Sequence, residues 1–406
     1  MSKKLTKDNV QDEAVEISKK TDKILLKHGT GLGKSLSFIK IQEYHKPKSV
    51  YIIVSEKNHI QNWIEEYKKH GKEELLKVVK FFCYASLHKY IDTEVDMVCL
   101  DEGHHVTSEA RLDALSTIKA KQIILLSATI TNKQIELIEE ITGEFYKYTV
   151  SLKRAIEEDI IPTPIIHLIP LVFSNEKTEI IEFTRGKKNS RIKIYCEYNN
   201  RFKYIKNKKL YPDIDLIIQC SQFQKNSYYD DLTNYYKRQF FISRSIIFKN
   251  KWLQIGMERK RYLVSIKTPL IQILLDKIKD KRFICFCGSV LQARELSNSI
   301  NLLCSEEHNN DETIKQFNSG EINNLFVVKM LQEGVNLSNI EIGIIAQLDG
   351  DVGPFIQKSG RIMRSTHPEI FIFYYKNSRD EEYMDDVLNE INSEYINIIE
   401  DINKYQ

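Results

Sequence analysis

No stretch of this 406-residue sequence approaches the roughly 20 consecutive apolar residues that cross a bilayer, and the start Met1-Ser2-Lys3-Lys4 leads into a polar segment. Zinc-type ligand sets are missing too. The seven cysteines, at 83, 99, 196, 220, 285, 287 and 304, include no Cys-x-x-Cys pair and have no histidine set at zinc spacing. Most lie in apolar runs such as Met97-Val98-Cys99-Leu100, where cysteine behaves as a small buried hydrophobe. Reduced thiols, no structural metal and a cytoplasmic location are therefore expected. No internal repeat and no low-complexity tail is present, which excludes a repeat architecture. Nor is there a large excess of one charge, the formal net charge being +3. That balance hides an asymmetry. Residues 176–267 hold 21 Lys and Arg against 9 Asp and Glu, a surplus of 12, so the remainder carries −9. The same window holds 16 of the 41 Phe, Tyr and Trp rings, which points to a polyanionic partner.

What the sequence does contain is alternation. Up to about residue 165, the short apolar runs Lys23–Leu26, Val50–Val54, Val78–Phe82, Met97–Leu100 and Ile123–Leu126 read as strands buried on both faces. Amphipathic stretches such as Asn58–His70 and Arg111–Ala120 read as helices between them. This predicts an α/β fold with a parallel sheet, and ligands at the carboxyl ends of its strands. Ile160-Ile161-Pro162-Thr163-Pro164 breaks the pattern and reads as a hinge or linker. Alternation returns from about 266, with helices at Pro269–Lys279 and Leu291–Ile300. Strands follow at Arg282–Cys287, Asn324–Val328, Ile342–Gln347 and Ile370–Tyr375, and Asp380–Ile402 reads as a closing amphipathic helix. Three parts are expected: a first lobe over 1–165, a basic aromatic-rich insertion over 166–265 and a second lobe over 266–406.

The chemistry is concentrated in short motifs. His28-Gly29-Thr30-Gly31-Leu32-Gly33-Lys34-Ser35 follows a strand and opens a helix, the order of a phosphate cradle. Its glycines let successive N–H groups converge on an anion. Lys34 would reach the β- and γ-phosphates and the Ser35 hydroxyl would join Mg²⁺. The usual pattern has glycine where His28 stands. Further on, the strand Met97–Leu100 ends in Asp101-Glu102-Gly103-His104-His105. A carboxylate there can hold Mg²⁺ and its neighbour can deprotonate a water, so Asp101 is read as metal anchor and Glu102 as general base. Leu125-Leu126-Ser127-Ala128-Thr129 ends a third strand in two hydroxyls that can bond to the acids. Near the end, Gln357-Lys358-Ser359-Gly360-Arg361-Ile362-Met363-Arg364 sets two arginines on one helix face, where a guanidinium can reach a transferring phosphoryl group.

In this order the motifs resemble those of the superfamily 2 helicases and translocases. The glycine loop resembles motif I, Asp101–His104 the DExH form of motif II, Ser127–Thr129 motif III and Gln357–Arg364 motif VI. Ser55–Tyr67, with Asn62-Trp63, looks like motif Ia, Phe286-Cys287-Gly288-Ser289 like motif IV, and Gln332–Leu337 like motif V of the Swi/Snf and restriction-motor branches. The resemblance implies two RecA-like lobes with ATP and Mg²⁺ in the cleft and nucleic acid across both. It implies that Gly29 to Ser35 bind the nucleotide, that Glu102, Lys34, Gln357, Arg361 and Arg364 act in hydrolysis, and that His104, Ser127 and Thr129 relay the nucleotide state. Asn62, Trp63, Ser289, Gly334, Val335 and Asn336 are the implied nucleic-acid contacts, and Gln11 is the candidate for an adenine-reading position.

The reading is an ATP-dependent DNA helicase or double-strand translocase, DNA being favoured over RNA. A DExH RNA helicase, a nucleic-acid-binding scaffold with an idle ATPase, and the motor subunit of a restriction-type complex are the alternatives. The insertion leaves no room for an appended nuclease, so a nuclease or a recombination or replication factor would come as a separate protein partner. No membrane partner is expected.

Overall fold

The apolar runs of the first lobe become β1 (Lys23–His28), β2 (Val50–Val54), β3 (Val79–Cys83), β4 (Glu94–Asp101), β5 (Lys119–Leu126) and β6 (Tyr146–Val150). The computed structural model describes residues 6–405 apart from 30, 90–92, 329–336, 338, 349–354, 356, 357, 361, 363, 364 and 389–391. The six strands pair in parallel in the order β3-β2-β4-β5-β1-β6. Every residue of β2 is buried, because helices cover both faces of the sheet. These are α1 (Lys7–Ser18), α2 (Lys34–His45), α3 (Lys57–Lys69), α4 (Glu109–Ser116), α5 (Asn132–Thr142) and α6 (Leu152–Glu157). Their ends are locally encoded. Thr131 and Gln134 form a reciprocal capping box at α5, and Ser151 caps α6. Because the strands are parallel, the segments after β1, β4 and β5 emerge on one edge, side by side.

The second sheet is also parallel but draws on more of the chain than the pattern of apolar runs suggests. It combines β7 (Ile165–Leu171), β11 (Phe283–Phe286), β12 (Leu302–Leu303), β13 (Asn324–Val327), β14 (Ile342–Ile345), β15 (Glu369–Tyr375) and β16 (Ile396–Ile398), in the order β12-β13-β11-β14-β15-β7-β16. The boundary expected at 165/166 thus falls inside β7, whose backbone pairs with both β15 and β16. The closing helix expected over Asp380–Ile402 is instead a helix over Arg379–Leu388 followed by the edge strand β16. Helices α10 (Val290–Ser297) and α11 (Asn310–Ser319) complete this lobe together with the Arg379–Leu388 helix.

Between the lobes, β8 (Glu179–Arg185), β9 (Ile192–Glu197) and β10 (Ile214–Cys220) form a separate sheet, order β8-β10-β9, with a core around Ile181, Tyr198, Ile214, Leu216 and Ile218. The short α7 (Arg201–Lys206) covers it, and a helical hairpin follows, α8 (Gln222–Ser243) and α9 (Ile246–Lys277). At about 1.5 Å per residue α8 alone is about 33 Å long, and the tip leaves Phe241, Ile242, Ile246 and Ile247 exposed. The sequence pattern starts a helix at Pro269, yet α9 runs straight through that residue. Proline removes one helical hydrogen bond. The carbonyl that loses its donor is that of Ser265, and the carbonyls on either side of it accept from side chains of other elements, Val264 from Gln292 at 3.1 Å and Ile266 from Tyr375 at 3.3 Å. The hairpin is thereby continuous with the second lobe. Among the described residues no helix is long and apolar enough to cross a membrane.

Candidate active site

The loop between β1 and α2 holds Gly31 at φ +93° and Gly33 at φ +78°, backbone closed to ordinary side chains. Gly33 caps α2 without a side chain, so the first N–H groups of the helix remain for an anion at its positive end. The Gly29 N–H donates to the Val150 carbonyl at 3.0 Å and ties the loop to β6, while Leu32 is fully buried beneath it. Lys34 opens α2, with Nζ 3.4 Å from the His28 carbonyl and 3.5 Å from Glu102 Oε1. Ser35 is the next residue of the same turn. Gln11, on α1, backs the loop: a methyl group on Gly33 would come within 2.7 Å of its Nε2. Its Oε1 is buried with no hydrogen-bond partner among the described residues. Thr30 lies outside the described residues.

At the end of β4, Asp101 Oδ2 accepts the Trp63 indole N–H at 2.8 Å, and the Tyr84 hydroxyl donates to the Asp101 carbonyl at 3.0 Å. The Trp63 ring is thereby turned into the core beside this acid. It is 3% exposed, edge-on to Phe38 at 5.6 Å, and its N–H, once buried, needs the acceptor that Asp101 provides. Asn62, the preceding residue, is half-buried. Glu102 adopts φ +47°, a left-handed conformation that costs a non-glycine residue about 1–3 kcal/mol. That turn lifts its carboxylate off the strand line. Oε1 meets Lys34, while Oε2 accepts from Ser127 Oγ at 3.4 Å and lies 3.6 Å from His104 Nδ1. Gly103 follows because a side chain there would strike Leu125.

His104 Nδ1 is also 3.2 Å from Ser127 Oγ, which accepts the Thr129 N–H at 3.3 Å. Gln134, which the sequence reading missed, donates to the His104 carbonyl at 3.4 Å and joins the α5 cap to the same cluster. Glu102, His104, Ser127 and Thr129 thus form one polar network across the ends of β4 and β5. It can sense the charge and protonation of a single carboxylate. A carboxylate and a hydroxyl, Asp101 and Ser35, are hard oxygen donors of the kind Mg²⁺ accepts while keeping waters and phosphate oxygens.

The second lobe approaches this loop closely. Ile362 is buried against Gly343 of β14, where a side chain would clash, and this packing fixes the segment around Gly360 to the second sheet. In the segment that joins the lobes, Ile160 and Ile161 are buried, so the expected linker is packed into the core rather than looped out. A methyl group on Gly31 would lie 3.9 Å from Ile161 Cγ2 and 4.0 Å from the Gly360 carbonyl oxygen. The glycine loop and the segment that bears the arginines therefore meet across a van der Waals gap. Gln357, Arg361 and Arg364 lie outside the described residues, as do Gly334, Val335 and Asn336. Ser289 follows β11 and caps α10, its Oγ accepting the Gln292 N–H at 3.2 Å.

A second polar cluster escaped the sequence reading, because lysine, glutamine and aspartate far apart in the chain carry no pattern. Lys267 on α9 and Asp380 are fully buried and 2.5 Å apart. Gln347, just after β14, bridges them, accepting from Lys267 at 2.9 Å and donating to Asp380 at 2.7 Å.

Comparisons with known proteins bear on the family and the fold. The model of the "Helicase conserved C-terminal domain" matches residues 266–366, and that of "Type III restriction enzyme, res subunit" matches residues 4–132. No curated protein matches the chain by sequence. Among solved structures, the ATP-dependent Type ISP restriction-modification enzyme LlaBIII bound to DNA is 12% identical with a TM-score of 0.56, over 99% of this chain and 31% of that one. S. cerevisiae Dbp5 bound to RNA and ADP BeF3 is 10% identical with a TM-score of 0.55, over 96% of this chain and 89% of that one. The fold they share with this chain is the pair of RecA-like lobes.

Proposed function

We propose that this chain, a superfamily 2 helicase-type protein, hydrolyses ATP in the cleft between its lobes and uses the cycle to move on or remodel DNA. The observation that carries the proposal is the approach of the Gly360 carbonyl to Gly31, with Lys34 and Glu102 paired beside the same loop. Gly29 to Ser35 cradle the phosphates, with Gln11 behind them. Asp101 and Ser35 hold Mg²⁺, which when bound offsets the charge that develops on the phosphates. Glu102 takes the proton of the attacking water. Arg361 and Arg364, with Gln357, reach in from the second lobe and stabilise the transferring group. His104, Ser127 and Thr129 read the state of Glu102 and pass it to the surface that meets nucleic acid.

DNA is favoured because the insertion is basic and rich in aromatic rings, and because motif V resembles that of the duplex-tracking branch. Positive charge would neutralise phosphates, and rings would stack on exposed bases. Measuring ATP turnover with duplex DNA, single-stranded DNA and RNA tests the reading. Stimulation by DNA is expected. Stimulation by RNA alone would transfer the proposal to an RNA helicase, and no stimulation by any of the three would refute the motor.

A further inference from the structure

Where the helical hairpin meets the second lobe there is a cavity of about 410 Å³, lined in part by Lys237, Trp252, Met257, Lys260, Arg379 and Tyr383. Its size falls within the roughly 300–1,000 Å³ of small-molecule pockets, enough for a nucleotide and too little for a duplex. The Trp252 indole is half-buried, with Lys237 Nζ 5.8 Å from its ring centre and the Phe240 and Phe241 ring centres 6.2 and 6.3 Å from it. Met257 is 54% exposed, an apolar side chain with open space over it. Arg379 pairs with Glu382, its neighbour on the same helix. From Leu232 to Met257 there are five Lys and Arg and no Asp or Glu.

Gln347 and Leu348, which follow β14, also border the cavity. It therefore opens on the carboxyl edge of the second sheet, the edge on which Ser289 follows β11. The Lys267–Gln347–Asp380 cluster fastens α9 to that edge.

We propose that this cavity holds one unstacked nucleotide of a bound nucleic-acid strand, its base against Trp252 and Met257 and its phosphates near Lys237, Lys260 and Arg379. The proposal rests on the nucleic-acid motor reading and deepens it. Because the hairpin is fastened to the second lobe, a nucleotide held here travels with that lobe when the cleft opens and closes.

The test uses the full chain and a labelled mixed-sequence single-stranded DNA oligonucleotide, with binding followed by anisotropy and by tryptophan fluorescence. The wild type should bind with quenching of Trp252. Trp252→Ala should weaken binding about 5- to 150-fold, the range for loss of one base stack, whereas Trp252→Phe should retain most of the affinity. Met257→Asp, at an exposed position that does not threaten folding, should weaken binding as well, and circular dichroism checks that each variant is folded. A folded Trp252→Ala variant that binds as tightly as the wild type would overturn the site while leaving the motor reading in place. Quenching by adenosine monophosphate but not by the oligonucleotide would overturn the assignment to a strand. A wild type that binds neither DNA nor RNA would overturn both.

Discussion

His28 ends β1 fully buried, edge-on to Tyr148 at 4.9 Å, with neither ring nitrogen hydrogen-bonded among the described residues. Burial, and then the charge of Lys34, push its pKa down to about 3. Below pH 6.5 the unfolded chain takes up a proton that the folded chain refuses, so this residue destabilises the fold as the pH falls from 6.5 towards 3. Between pH 7 and pH 5 the loss is about 2 kcal/mol. Urea unfolding at both pH values should show the His28→Leu variant losing less stability than the wild type by about that amount. Equal losses would contradict this account of His28. At this scale the sequence was legible where a backbone rule decides, as at Gly31 and Gly33, whose positive φ angles favour glycine. It did not show the burial of Trp63, since a motif reveals a residue's neighbours in the chain but not which side of the helix the core covers.

Among the elements, strands buried on both faces were the most legible, because continuous apolar runs have few other uses. The misreadings occurred where tertiary contacts override local preference. Pro269 reads as a helix start, but α9 continues through it, packed against elements whose side chains bond the Val264 and Ile266 carbonyls. β7 and β16 were missed as members of the second sheet because both join it through partners distant in the chain, β7 through β15 and β16 through β7. The Lys267–Asp380 pair shows what holds the hairpin to that sheet. Removing one partner of a buried pair leaves an uncompensated charge, so Asp380→Ala should cost about 3–5 kcal/mol in urea unfolding. Lys267→Met combined with Asp380→Leu should recover most of that loss. A single variant as stable as the wild type would show that the pair does not anchor α9.

For the whole molecule, the charge asymmetry and the order of the motifs announced two lobes and a basic insertion, and the structure adds how they are joined. Ile160 and Ile161 are packed rather than looped out, and the glycine loop faces Gly360. The central claim is that one triphosphate site is shared, with the first lobe giving Lys34, Asp101 and Glu102 and the second giving Arg361. The most direct measurement is the ATP hydrolysis rate of Arg361→Ala at saturating ATP and nucleic acid. The account predicts a fall of about 10³- to 10⁵-fold, the usual loss for an arginine finger, with ATP still bound. Hydrolysis at the wild-type rate would contradict it.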